Sequence, residues 1–158
     1  MKISELIAAK SNFEDNTKWL PFSVHASDTA GIIKRLFNKW IAENVRRRLC
    51  AAIGIESSEN AEAIVCNYCE FIALVHDIGK LTPAFQRKLK DNIQGLADRL
   101  LDAGIDLSDL TQISESPHNI AGQYILKKEF EVAPSTAVIV GAHHGDCSSD
   151  RGECLYED

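Results

Sequence analysis

The chain has 158 residues, 45% hydrophobic and 25% charged, a balance that suits one soluble globular domain with a buried core. No run of about 18 apolar residues offers a membrane span, and no signal-peptide core follows Met1-Lys2-Ile3-Ser4-Glu5, so a cytoplasmic protein without membrane contact is expected. The net charge of −6 excludes a protein that coats nucleic acid through its overall field and leaves any phosphate binding to local clusters, such as Arg46-Arg47-Arg48, Lys80 with Arg87, Lys88 and Lys90, or Lys127-Lys128.

In chain order, Ile3, Leu6 and Ile7 share one helical face, enough for a short docking helix over residues 3–9. Residues 10–16 read as a polar loop, and Trp19-Leu20-Pro21-Phe22 as an apolar approach to Val24-His25. Asp28 is placed to cap a helix in which Ala30, Ile33, Phe37, Trp40 and Ile41 repeat at three- and four-residue steps. That helix is expected to run to about Cys50, with the three arginines near its C-terminus. Gly54 to Ser58 is a break, after which residues 61–76 are apolar on more than one face, the pattern of a central, deeply buried helix. Its end carries His76-Asp77, and Gly79 then frees the backbone to turn.

Thr82-Pro83 forms an N-cap and first helical residue for the segment through Leu89. Residues 93–101 make another amphipathic segment closed by Gly104, residues 106–117 a polar loop, and His118 stands in the first turn of a helix through Leu126. Pro134-Ser135 begins a last helix to about His143, stopped by Gly145, although the β-branched residues between Ala137 and Val140 would also suit a short buried strand. Without convincing period-two alternation elsewhere, the fold class is all-α, a helical bundle.

The five cysteines, Cys50, Cys66, Cys69, Cys147 and Cys154, form an odd set without a secreted-type framework and read as reduced thiols. Cys66-Asn67-Tyr68-Cys69 has zinc-knuckle spacing, but it lacks a partner pair and lies in a helical pattern, so core thiols are the better reading. The five histidines are more informative: His25, His76, His118 and the His143-His144 pair stand mostly beside apolar helical patterns. Imidazole with carboxylate is a common donor set for zinc, iron, nickel, cobalt and manganese, and the two oxygens of Asp77 can bridge two ions. A His-Asp dipeptide alone is also satisfied by hydrogen bonding, and the chemistry rests on the whole constellation.

The ordered set His25, His76-Asp77, His118, His143-His144 resembles the HD metal-dependent phosphohydrolase superfamily. More narrowly, Ala9-Lys10-Ser11, Leu20-Pro21, His25-Ala26-Ser27-Asp28, His76-Asp77-Ile78-Gly79-Lys80 with Thr82-Pro83-Ala84-Phe85-Gln86, and Gly141-Ala142-His143-His144-Gly145 resemble the HD nuclease domain of the CRISPR-associated helicase-nuclease of type I systems. The resemblance implies an HD-domain bundle spanning residues 1–158. It further implies cleavage of single-stranded DNA delivered by a helicase domain or subunit working with a CRISPR effector complex in antiviral defence. By position, His25 and His76 match ligands of one metal, Asp77 the bridge, and His118, His143 and His144 ligands of a second. Two cations roughly 3.5–4 Å apart can share a hydroxide as nucleophile for in-line displacement at phosphorus. This imidazole-rich set favours one or two ions of manganese, nickel, cobalt, iron or zinc over magnesium. His76, Asp77 and Lys80 are the candidate catalytic residues, Lys80 through contact with a non-bridging phosphate oxygen.

The family pattern also requires an aspartate well downstream of the His143-His144 motif, whereas the sequence ends at Asp158, 14 residues after His144. Asp146 and Asp150 sit too close to the motif to take its place, so the nuclease domain is expected to be C-terminally incomplete, lacking its last helices, or a short form. Two other functions stay open: an HD phosphohydrolase acting on nucleotides, and a non-catalytic metal-holding assembly module.

Overall fold

The computed structural model describes residues 3–108 and 117–145, without the side chain of Ser4. Asp146, Cys147, Asp150 and Cys154, and most of the polar loop expected at residues 106–117, fall outside that range. The described residues form a helical fold with one small two-stranded sheet. The chain divides into two compact units, residues 1–25 with 75–158, and residues 26–74.

In the first unit, α1 (Ile3–Leu6) leads into β1 (Ala8–Ser11), which pairs antiparallel with β2 (Trp19–Pro21). The sequence suggested a longer docking helix followed by a loop. Strands of four and three residues are too short to show alternation, and the ribbon gains its order from its surroundings. Ile7, Ala8 and Leu6 are buried with Ile93, Leu96, Leu100 and Leu107, so the start of the chain and α6 (Leu96–Asp102) close one apolar core. A 3₁₀ turn (Ile78–Leu81) packs against α5 (Pro83–Leu89) and α7 (His118–Lys128), and α7 packs against α8 (Pro134–Gly141). Thr82 caps α5, its hydroxyl accepting from the Phe85 N–H at 3.4 Å and donating to the Gly79 carbonyl at 2.8 Å. The β-branched run in α8 is helical.

In the second unit, Phe37 of α2 (Phe22–Lys39) is buried with Cys50 of α3 (Glu43–Ala52) and Val65 and Cys66 of α4 (Ala61–Val75). Ion pairs Lys34–Glu70 (3.0 Å) and Arg46–Glu62 (2.8 Å) tie the same helices at the surface. Three expectations need correction. First, Asp28 is inside α2, which starts at Phe22 directly after Pro21. Second, α2 and α3 are separate helices. Ala42 takes an extended conformation (φ −61°, ψ 147°), and the Arg46 guanidinium donates to the freed Ile41 carbonyl at 2.6 Å, so the arginine run lies inside α3 instead of closing α2. Third, α4 is not buried all round, because Ile64, Phe71 and Leu74 are each more than a third exposed. Cys50, Cys66 and Cys69 are free thiols, and among the described residues no cysteine joins a metal-ligand group.

Among the described residues no helix is long and apolar enough to cross a membrane.

Candidate metal centre

Val75 is the last residue of α4, and His76 and Asp77 form the turn between it and the 3₁₀ turn. The Asp77 carbonyl accepts from the Lys80 N–H at 2.8 Å, which closes the turn and brings the Lys80 side chain back over the carboxylate. Gln86, 1% exposed, fixes this turn from behind. Its amide nitrogen donates to the carbonyls of Lys80 (2.7 Å) and Ala8 (2.8 Å), and its oxygen accepts from the Ala8 N–H (3.0 Å).

Gly79 sets the position of the next element. A Cβ on Gly79 would overlap the His118 carbonyl and lie 2.7 Å from the Gly122 nitrogen, so the 3₁₀ turn and the first turns of α7 meet backbone to backbone. Only glycine permits that approach, and it brings His118 against Asp77. A similar contact seats α8: a Cβ on Gly141 would overlap the buried Gln123 side chain, while Asn119 Nδ2 donates to the Gly141 carbonyl at 2.9 Å. The chain leaving α8 therefore delivers His143 and His144 beside His118.

The Asp77 carboxylate, 6% exposed, divides its oxygens between two groups. Oδ2 faces His25 Nε2 (2.7 Å), His76 Nε2 (3.1 Å) and Lys80 Nζ (2.7 Å). Oδ1 faces His118 Nε2 (3.1 Å) and His143 Nε2 (3.4 Å). His144 Nε2 lies 3.0 Å from His118 Nε2, and His143 Nε2 lies 3.4 Å from it. Burial alone would raise the Asp77 pKa. Hydrogen bonds from His118, His143, His76 and Lys80 outweigh that effect and hold the carboxyl far below the usual carboxylate range. His144 is lowered from the ordinary histidine value, first by loss of solvent and then by the neighbouring His143 and His118.

This donor arrangement fits a cation better than it fits protons. His143 Nδ1 lies 2.6 Å from the Val140 carbonyl, which can only accept, so Nδ1 carries a proton and the ring is fixed with Nε2 inward. That Nε2 faces both an Asp77 oxygen and His118 Nε2. With His144 Nε2 also facing His118 Nε2, three ring nitrogens and a carboxylate oxygen converge where single protons cannot satisfy every pair. The backbone bond that fixes the His143 ring is the usual support of a ligating histidine. His118, His143 and His144 form one group able to hold an ion, and His25, His76 and Asp77 another, each with its ligand atoms within 4.8 Å of one another.

All six side chains singled out in the sequence as candidate ligands thus lie together, and Lys80 adjoins them. Sequence reasoning missed Gln86, Asn119 and Gly122, which bear on the ligands' positions without being ligands. The only signal for Gln86 was its place in the Thr82–Gln86 run, which carries no spacing rule for a buried amide. Asn119 had only its position beside His118.

Residues 9–156 match the family model described as "Cas3, HD domain". The chain is also 36% identical, over 142 residues, to a protein of Streptococcus thermophilus named "CRISPR-associated nuclease/helicase Cas3". The match covers 84% of this chain and 15% of that relative, so the chain spans a small fraction of the relative's length. No solved structure matches the chain.

Proposed function

The chain belongs to the family of Cas3 HD domains, and from that premise we propose that it is a metal-dependent phosphodiesterase that cleaves single-stranded DNA in CRISPR antiviral defence. The observation that carries this reading is the convergence of four imidazoles, those of His25, His76, His118 and His143, on the two oxygens of one buried, ionised carboxylate, with a fifth, His144, against His118.

His25, His76 and Asp77 would hold one divalent cation, and His118, His143, His144 and the other oxygen of Asp77 a second. Manganese, nickel, cobalt, iron and zinc suit this donor set better than magnesium. Bound there, such ions supply Lewis acidity, which acidifies water and stabilises charge developing on a phosphoryl group. The protein's own part is preorganisation. Asp77 stays ionised well into acid, so it needs no proton loss to act as a ligand. The Val140 carbonyl holds the His143 ring in one orientation. Lys80, which the sequence offered for a non-bridging phosphate oxygen, is engaged with Asp77 at 2.7 Å. A helicase domain or subunit, as in the S. thermophilus relative's name, together with a CRISPR effector complex, would deliver the strand.

The test is cleavage of single-stranded DNA by the purified chain with manganese, nickel or cobalt, alongside His76→Ala and Asp77→Ala. The expected result is metal-dependent cleavage lost in both variants. A folded, metal-loaded protein that leaves DNA intact yet hydrolyses nucleotides or cyclic dinucleotides would overturn the substrate assignment.

A further inference from the structure

The two oxygens of Asp77 are not in equivalent surroundings. Among the described residues Oδ1 meets the imidazoles of His118 and His143, whereas Oδ2 already carries a cation, Lys80 Nζ at 2.7 Å. Lys80 has little freedom to leave. Its N–H bonds the Asp77 carbonyl at 2.8 Å, its own carbonyl accepts from Gln86 at 2.7 Å, and its side chain is 15% exposed. Its ammonium also lies 5.6 Å from the centre of the Phe85 ring, whose face favours positive charge. An ion held by His25, His76 and Oδ2 would share that oxygen with the ammonium, and the like charges would repel at close range in a poorly solvated site. An ion held by His118, His143 and His144 would use the other oxygen.

We propose that Lys80 is a resident counter-ion of Asp77 that makes the two ligand groups unequal, so that a first cation settles with His118, His143 and His144 and a second enters beside His25 and His76 only against the charge of Lys80. This inference rests on the reading of Asp77 as the shared ligand and assigns Lys80 a role in setting the order of loading. Lys80 is then a positioning residue, acting on metal through Asp77.

Titration of the metal-free full chain with Co²⁺, followed by calorimetry and visible absorption, tests it. The wild type should bind in two steps, the second about tenfold or more weaker, a gap equivalent to about 1.4 kcal/mol. Lys80→Met, which keeps the stem and removes the charge, should narrow that gap by tightening the second step about tenfold, while Lys80→Arg should keep it. A wild type that takes one ion and a Lys80→Met variant that takes two would support the proposal equally. A second step unchanged or weakened in Lys80→Met, or an arginine variant that behaves like methionine, would overturn it. Should Lys80→Met fail to fold, Lys80→Gln serves the same comparison. A wild type that binds no Co²⁺ would overturn the metal-centre reading as well, which separates that failure from failure of this inference alone.

Discussion

Gly79→Ala isolates the backbone contact on which the site is built. The added methyl would overlap the His118 carbonyl and come within 2.7 Å of the Gly122 nitrogen, and neither obstacle is the end of a flexible side chain. Relief requires moving the 3₁₀ turn or α7, and overpacking of this kind costs about 1–3 kcal/mol, here toward the upper end because both obstacles are backbone. At about 2–4 °C per kcal/mol for a chain of this size, the melting temperature should fall by roughly 6–12 °C. His118 should be displaced from Asp77, so Co²⁺ binding should weaken as well. Gly31→Ala supplies a control of opposite sign: Gly31 is in α2 with nothing within 4 Å of an added Cβ. There alanine should stabilise by about 0.5–1 kcal/mol through helix propensity and raise the melting temperature by a few degrees. Melting followed by circular dichroism on metal-free protein reads both. A Gly79→Ala protein that melts within about 2 °C of wild type and binds Co²⁺ normally would refute the argument that glycine is needed there for close approach.

Gln86→Ala should cost about 3 kcal/mol in urea unfolding, because it strands the buried Ala8 N–H and the carbonyls of Ala8 and Lys80 at about 1–3 kcal/mol per group; a loss below about 1 kcal/mol would show that water replaces the amide. His144→Ala should lower the metal content of purified protein more than His25→Ala does, read by elemental analysis; the reverse order would place the better-held ion beside His25. In the metal-free protein the His144 imidazole should titrate by NMR below the ordinary histidine value, so that it stays neutral and able to ligate at mildly acid pH, and a midpoint at or above 6.5 would contradict the effect of its burial and of His143 and His118. Burial, reinforced by Cys66, pushes the Cys69 thiol up, so at pH 8 its alkylation in the folded protein should be much slower than in denaturant; equal rates would contradict its shielding.

The parts of the fold legible in the sequence are those with local causes. Thr82-Pro83 signals a helix start by side-chain chemistry alone, and the hydroxyl bond to the Phe85 N–H is present. Pro134 marks the start of α8 for the same reason. The parts that were not legible depend on partners distant in sequence. The β1–β2 ribbon has too few residues for a period, and its Ala8 backbone is satisfied by Gln86, 78 residues away. The break between α2 and α3 contains neither glycine nor proline, and Arg46 stabilises it from within the next helix. Gly79 was singled out for conformational freedom, yet it is not among the residues with positive φ; what makes glycine necessary is the proximity of α7, which no local pattern encodes.

That distinction bears on why a run such as His76-Asp77-Ile78-Gly79-Lys80-Leu81-Thr82-Pro83-Ala84-Phe85-Gln86 behaves as a unit. Only His76 and Asp77 offer donors to an ion, but each later polar position has work that affects those donors. Gly79 admits α7 and so admits His118. Lys80 balances the charge on Oδ2. Thr82 closes the turn on the Gly79 carbonyl and starts α5, and Gln86 on α5 returns to hold the Lys80 carbonyl. A ligand cluster drawn from four separate chain segments needs each segment located to a few tenths of an ångström, and side chains on long rotamers cannot supply that by themselves. Here the locating contacts run through backbone atoms: Gly79 against His118 and Gly122, Asn119 to Gly141, His143 to Val140, Gln86 to Lys80. It follows that replacing a ligand should remove metal with modest change in fold, whereas replacing Gly79 or Gln86 should weaken fold and metal binding together. Comparing melting temperature with Co²⁺ affinity across His144→Ala, Gly79→Ala and Gln86→Ala separates the two classes. A Gln86→Ala protein that loses metal affinity with no loss of stability would mean that Gln86 acts on the ion more directly than through the turn.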